Sequence, residues 1–180
     1  MMSTIQQAVS ESTRLLSTWQ EKADRLDDKE RLALEVQLKT LFSEELGRRG
    51  FFAAYSTSDL QLTKAMQETL KAAVLSNIDA VGDIMVKNVF MSGQSYLGSL
   101  ASLAHEGKAE ASKQTMIKSL DLIQRLGIDE IKNKLQDALL AIHSYQDENE
   151  NPQDKWHQFF KRWNYRRENL EKMPDLLNEA

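Results

Sequence analysis

Cysteine is absent from the sequence, and its 180 residues include only two prolines and seven glycines. The absence of cysteine excludes disulfide bonds, thiolate metal ligands and cysteine nucleophiles. Both other counts are low against average usage. Hydrophobic residues make up 41% and charged residues 28% of the chain, a balance typical of neither a disordered chain nor a membrane protein.

A long apolar run is also missing. The longest stretch without Asp, Glu, Lys or Arg covers residues 88–105 and is interrupted by serines and glycines, so it is too polar to span a bilayer. The first residues, Met1-Met2-Ser3-Thr4, have neither the basic region nor the apolar segment of a secretory signal. We therefore expect no membrane span and a cytoplasmic location.

Charge of one sign is not concentrated anywhere in the chain. The formal net charge is -4, and the thirds 1–60, 61–120 and 121–180 carry -2, +1 and -3. A nucleic-acid-binding surface usually needs a net basic field. The even distribution makes nucleic acid an unlikely partner for most of this chain.

Hydrophobic residues recur with a period near 3.6, and no segment alternates as a strand would. The pattern predicts an all-α protein, a multi-helix bundle or layered helical array of six to seven helices. We expect one domain over 1–180, with 151–180 as a candidate C-terminal appended helix.

The first half of the chain shows helix-start signals and apolar stripes. Asp27 and Glu30 have the spacing of a capping box. The helix after them should bury one stripe, and a second set on its side predicts that a wide arc is covered. The stripe is Leu34, Leu38, Leu41 and Phe42, and the second set is Leu32, Val36 and Leu46.

Glycines and capping residues predict the remaining boundaries. The second helix should end near Leu46–Gly47, followed by a connector over 47–52. Ser58 should open a helix that, if unbroken, reaches Phe90, and a short helix of small residues should follow over 92–104. The later predicted helices are 109–126, which ends at Gly127, 129–146, and a last one from 151 to about 172, which Pro174 cannot extend.

Signature motifs of enzymes and metal sites are missing. GxxxxGK[ST], GxGxxG, HExxH and GxSxG do not occur. No two of His105, His143 and His157 are three or four residues apart, so their spacing places no pair on one helical face. We therefore expect no catalytic residues, no metal and no cofactor, and we interpret the protein as not an enzyme.

One alternative is a ligand-binding or sensory domain. Phe51-Phe52 in an early loop and His105 about fifty residues later loosely resemble a globin layout, in which a histidine binds haem iron. The competing interpretation is that His105 is a polar residue near a helix end. Tyr96 is the residue most able to reach a ligand if a pocket lies near it.

The C-terminal segment is the most distinctive part of the sequence. Its aromatic residues have helical spacing and are interleaved with basic residues. Residues 153–172 carry six basic and three acidic side chains. This pattern is typical of a packing helix, of single-stranded nucleic-acid binding or of a docking helix with Trp and Arg hot spots. As partner-binding residues we select Trp163, Arg162 and Arg166.

Three functions remain open. The first is a non-enzymatic protein–protein interaction module, an adaptor, regulator or assembly subunit, with a protein partner and homo-oligomerisation expected. The second is the ligand-binding or sensory domain, including its globin-like version. The third is a nucleic-acid-associated protein that acts through the last helix.

Overall fold

A computed structural model describes residues 4–22, 27–100, 106–146 and 153–180. These residues contain nine helices and no strand, so the all-α class is confirmed. The helices are α1 Ile5–Lys22, α2 Asp28–Ser43, α3 Glu45–Thr57, α4 Lys64–Leu75, α5 Ile78–Leu100, α6 Glu106–Leu126, α7 Asp129–Gln146, α8 Lys155–Arg162 and α9 Arg167–Asn178.

The predicted number of six to seven helices is wrong. Three segments each form two helices instead of one. The predicted helix and connector over 27–52 form α2 and most of α3, the predicted helix 58–90 is divided between α4 and α5, and the predicted helix 151–172 is divided between α8 and α9. Residue 151, at which the last predicted helix begins, lies outside the described residues.

The chain divides into two compact units. Unit 1 is Met1–Met85 with Leu122–Ile128, and unit 2 is Val86–Asp121 with Asp129–Ala180. Helices α5 and α6 therefore contribute residues to both. The single domain over 1–180 stays a prediction.

In unit 1, α1 packs against α3 through small residues. A Cβ atom added to Gly50 would lie 2.5 Å from Cβ of Ala8 and 2.6 Å from its carbonyl carbon, distances that real Cβ atoms do not tolerate. A Cβ on Gly47 would lie 2.0 Å from the carbonyl oxygen of Leu41. Both glycines therefore lie within α3 and allow its backbone to approach Ala8 and Leu41 closely. The predicted connector over 47–52 is wrong.

The end of α2 is held by side chains from later in the chain. Arg48 donates from Nη1 to the carbonyl oxygen of Phe42 at 2.7 Å, and Asn77 donates from Nδ2 to the same oxygen at 2.9 Å. The last carbonyls of a helix have no intrahelical donor, so these bonds stabilise the C-terminus of α2. They also place Arg48 in a structural role.

The predicted helix from Ser58 to Phe90 is wrong at its start and in its middle. Ser58 is the C-cap of α3, and α4 begins after Thr63, whose side chain accepts from the backbone N–H of Met66. A break follows at Ser76 and Asn77, and α5 then continues through Gly93 to Leu100. The short separate helix predicted over 92–104 is therefore wrong as well.

Other boundaries agree with the sequence. The Asp27–Glu30 capping box is present in full at the start of α2. Gly127 has a φ of +59° between α6 and α7, the left-handed conformation that glycine adopts at a helix end. The stripe of Leu34, Leu38, Leu41 and Phe42 is buried as predicted.

Two residues of the second apolar set, Leu32 and Val36, lie in solvent, contrary to the prediction of a wide covered arc, and the third, Leu46, is half-buried in α3. Leu32 is 60% exposed and Val36 is 55% exposed.

Among the described helices, none is both long and apolar enough to cross a membrane.

The crossing of α1 and α3 predicts opposite effects for one substitution at two glycines. Gly50→Ala should lower the free energy of unfolding by about 1–3 kcal/mol, because the new methyl group forces the two helices apart. Gly98→Ala should raise it by about 0.5–1 kcal/mol, because Gly98 lies in α5 with no atom within 4 Å of an added Cβ and alanine favours the helix. Urea unfolding measures both, and a Gly50→Ala variant as stable as wild type contradicts the packing role.

Candidate partner-binding surface at the turn between α8 and α9

Helix α8 begins at a well-capped position. The Asp154 carboxylate accepts from the backbone N–H groups of Trp156 and His157 at 2.7 and 3.2 Å. These are two of the donors that a helix start leaves unpaired. Asp154 is therefore the N-cap of α8, and the helix begins later than the predicted start at 151.

One face of α8 is a row of buried aromatic rings. Trp156, Phe159 and Phe160 are almost completely buried. Phe90 of α5 contacts Trp156 and Phe160, with ring centroids 6.3 and 5.6 Å away. Tyr145 of α7 meets Phe160 edge to face at 5.7 Å. Aromatic burial of this kind dominates local packing energy, so α8 is fixed in rotation about its axis.

His157 ties α8 to the end of α7. Its Nε2 lies 3.0 Å from the carbonyl oxygen of Ala141 and 2.9 Å from Oγ of Ser144. A carbonyl oxygen only accepts, so Nε2 must carry the proton and has no lone pair to take one from Ser144. In this arrangement Ser144 and His157 cannot act as a nucleophile and its general base, and their contact is structural.

The chain leaves α8 through a tight turn. Trp163 donates its backbone N–H to Phe159 at 3.2 Å, and Tyr165 donates its own to Phe160 at 3.1 Å. Between them Asn164 has a φ of +49°, a left-handed conformation that asparagine tolerates better than most residues. The predicted continuous helix from 151 to 172 is therefore wrong.

The turn places the last aromatic ring of the predicted stripe in solvent. Trp163 is 47% exposed, whereas Trp156, Phe159 and Phe160 are buried. Pro174 lies inside α9, where the helix loses one backbone hydrogen bond, so the prediction that it blocks the helix is wrong.

The three selected residues come together at this turn. Arg162 is the last residue of α8, Trp163 is its C-cap, and Arg166 is the N-cap of α9. All three are exposed. Arg166 lies 3.7 Å from Glu168, and Arg162 forms no ion pair with any described residue. We call Arg162, Trp163 and Arg166 the Trp163 surface.

The Trp163 surface combines an accessible indole ring with guanidinium groups. Exposed pairs such as Arg166–Glu168 contribute little to stability, so these charges are available to another molecule. Tryptophan and arginine are the residue types that most often supply binding energy in protein interfaces. Single-stranded nucleic acid would need several accessible rings, and here Trp156, Phe159 and Phe160 are buried.

Sequence reasoning did not identify the turn that creates this surface. Helical spacing of the aromatic residues indicates one stripe and gives no sign of a break. The signal that could have revealed it is Asn164, a residue suited to the left-handed conformation.

The other candidate positions remain apart from this surface. Phe51 and Phe52 are buried in α3, so the early loop assumed for the globin-like layout is wrong. His105 lies outside the described residues. Tyr96 is half-buried, with the Lys113 amino group 5.6 Å from its ring centroid. Within the described residues no three His, Asp or Glu side chains are grouped as metal ligands.

Tyr165 has an unusual environment behind the turn. Its ring packs edge to face on Phe159 at 5.5 Å, and its hydroxyl is buried without a hydrogen-bond partner among the described residues. Burial raises the pKa of the Tyr165 phenol, because the charged phenolate is poorly solvated there.

Residues 4–180 match the model of the family described as uncharacterised conserved protein UCP020893. The chain belongs to that family. Searches of curated proteins and of solved structures found no match.

Tryptophan fluorescence tests the exposure and charge of the Trp163 surface. Trp19 and Trp156 are 0% and 2% exposed, so an aqueous quencher should reach only Trp163 of the three tryptophans. Iodide should quench it more strongly than caesium, because the neighbouring arginines attract an anion. Trp163→Phe should abolish the quenching, and Arg162→Glu with Arg166→Glu should reverse the ion preference. Equal quenching by both ions would contradict the proposed local charge.

The buried hydroxyl of Tyr165 gives a second prediction. Tyr165→Phe should leave the free energy of unfolding at pH 7 unchanged or raise it, because it removes a buried polar group that has no partner. Since the folded-state pKa lies above the unfolded value of about 10, wild type should lose stability as the pH rises beyond 10, and the variant should lose less.

Urea unfolding at pH 7 and pH 11 measures both effects of Tyr165→Phe. A variant that is destabilised at pH 7 by more than about 1 kcal/mol would indicate that the hydroxyl has a hydrogen-bond partner.

Proposed function

We propose that this member of the family is a non-enzymatic helical protein–protein interaction module, such as an adaptor, regulator or assembly subunit. The proposal assigns partner binding to the Trp163 surface and includes homo-oligomerisation and a cytoplasmic location. It rests on a fold in which the described apolar and aromatic side chains mostly pack between helices, with a few large ones left in solvent.

The observation that supports the proposal best is the difference between Trp163 and its neighbours. The rings of Trp156, Phe159 and Phe160 are buried, and the next aromatic side chain along the segment is 47% exposed between two arginines. Keeping a large apolar ring in water has a cost, which burial against a partner would remove. A partner that contacts both ring and guanidinium groups would gain a hot spot.

The local charge indicates the chemistry of the partner. Residues 153–172 carry a net charge of +3 in a chain of net charge -4, so this segment attracts acidic groups more than the rest of the chain does. An acidic protein segment with one apolar side chain for Trp163 fits this surface. Specificity and association rate depend on such complementarity more than affinity does.

Two alternatives predict different behaviour of the same purified protein. A nucleic-acid-binding function predicts affinity that falls steeply with salt. A ligand-binding or haem function predicts a bound small molecule, with an absorption band that appears on haem addition and is lost in His105→Ala.

Affinity capture from the native source tests the proposal. Partners retained by wild type should be lost or reduced at least about tenfold on Trp163→Ala, since truncating a hot-spot residue costs about 2 kcal/mol or more. Leu140→Ala is the matched control, because Leu140 is a 67% exposed apolar residue of α7. Quantitative mass spectrometry compares the three samples. Equal recovery with Trp163→Ala and wild type would reject the assigned surface.

A further inference from the structure

Helix α2 has an exposed face without charge. Between its first turn and its end, the most exposed residues are uncharged: Leu32, Ala33, Val36, Gln37, Thr40 and Ser43. The spacing of three and four residues places all six on one side of the helix. The charged residues of this stretch, Glu35 and Lys39, are less exposed and pair with each other at 2.6 Å.

The hydroxyl groups of this face are already satisfied. Thr40 donates its hydroxyl to the carbonyl oxygen of Val36 at 2.9 Å, and Ser43 donates to that of Thr40 at 2.7 Å. Hydroxyls that bond back to their own helix do not require another partner. To an approaching molecule this part of α2 therefore offers mainly apolar surface.

A groove of about 500 Å³ runs beside this face, between α1 and α2. Val36, Gln37, Thr40 and Leu41 line one side, and Glu11, Arg14, Leu15 and Thr18 of α1 line the other. Val36 lies on its rim as an exposed apolar side chain, and Leu15 is half-buried opposite. We call this groove and the exposed side of α2 the α1–α2 face.

The charges of the α1–α2 face match those of its own copy. Glu11 and Arg14 are exposed, lie one turn apart on α1, and form no ion pair with any described residue. If two copies meet across a two-fold axis perpendicular to α1, Glu11 of each lies opposite Arg14 of the other. An interface between identical copies must be self-complementary in this sense.

We infer that the α1–α2 face binds the same face of a second copy of this chain, with Val36 buried on each side and two Glu11–Arg14 pairs formed between the copies. The inference rests on the homo-oligomerisation in the proposed function and assigns it a surface. A net-neutral face with one charge of each sign does not repel its copy, and no excess of either sign favours a strongly acidic, basic or nucleic-acid partner.

The small number of large apolar side chains on the α1–α2 face indicates a weak dimer. Stable interfaces bury about 800 Å² on each side, and two helix faces with few large apolar side chains supply little hydrophobic core. Dimerisation should therefore depend on concentration in the micromolar range or above.

Analytical ultracentrifugation of the full chain over a wide concentration range tests the inference. Wild type should shift from one copy towards two as concentration rises. Val36→Lys should raise the dissociation constant at least about tenfold, because it places an unpaired charge in the contact. Leu140→Lys, the same change at an exposed leucine of α7, should leave it within about twofold.

Charge reversal identifies the second copy as the occupant. Glu11→Arg alone should weaken dimerisation, since four arginines then face one another, and Arg14→Glu alone should weaken it through four glutamates. The variant with both changes should regain dimerisation. Mixing the two single variants should produce heterodimers more readily than either variant forms homodimers.

Each result decides between defined alternatives. Dimers that are unaffected by Val36→Lys and by charge reversal would overturn the assigned face while leaving self-association intact. A wild-type chain that is monomeric at every concentration would overturn this inference together with the oligomer part of the proposed function. Neither result would affect the assignment of the Trp163 surface, because partner capture by wild type and by Trp163→Ala tests that surface separately.

Discussion

Burial of the aromatic face of α8 is the constraint on which the geometry of unit 2 near its C-terminus depends. The rings of Trp156 and Phe160 pack on Phe90, and His157 bonds to the end of α7. With these contacts made, α8 cannot rotate about its axis. Trp163, which follows the last turn of α8, is nevertheless 47% exposed.

The exposed position of Trp163 is a consequence of the turn that ends α8. Continuing α8 by another turn would keep the stripe regular and bring Trp163 and Arg167 towards the aromatic cluster. The left-handed conformation of Asn164 ends the helix instead, and Tyr165 takes the inward position against Phe159 and Phe160. Tyr165 therefore packs on the aromatic cluster in place of Trp163. The ring of Trp163 is left in solvent, with Arg162 and Arg166 close to it in the chain.

Periodicity in the sequence predicts the all-α class and several buried stripes, because a helix that packs on others must be apolar once per turn. It does not predict where long apolar patterns break. Ser76 and Asn77 interrupt one such pattern because Asn77 holds the end of α2, a contact with a residue 35 positions earlier. Such a contact depends on tertiary packing and leaves no local signal.

Glycine shows a second limit of sequence reasoning. The same residue suits a helix end, as at Gly127, and a close crossing, as at Gly47 and Gly50. Only the approach of Ala8 and Leu41 distinguishes the two uses. Exposure has a similar ambiguity, because Leu32 and Val36 follow the apolar pattern of a covered helix and still lie in solvent.

The two exposed features differ in charge, and this difference bears on what each can bind. The Trp163 surface carries two arginines, one of them without an ionic partner among the described residues, so two copies of it would repel each other. The α1–α2 face carries one charge of each sign beside an uncharged helix side, so its copy is tolerated. The first therefore suits a different, acidic protein, and the second suits the chain itself. The two surfaces lie in different units and share no residue, so each can be mutated while the side chains of the other are kept.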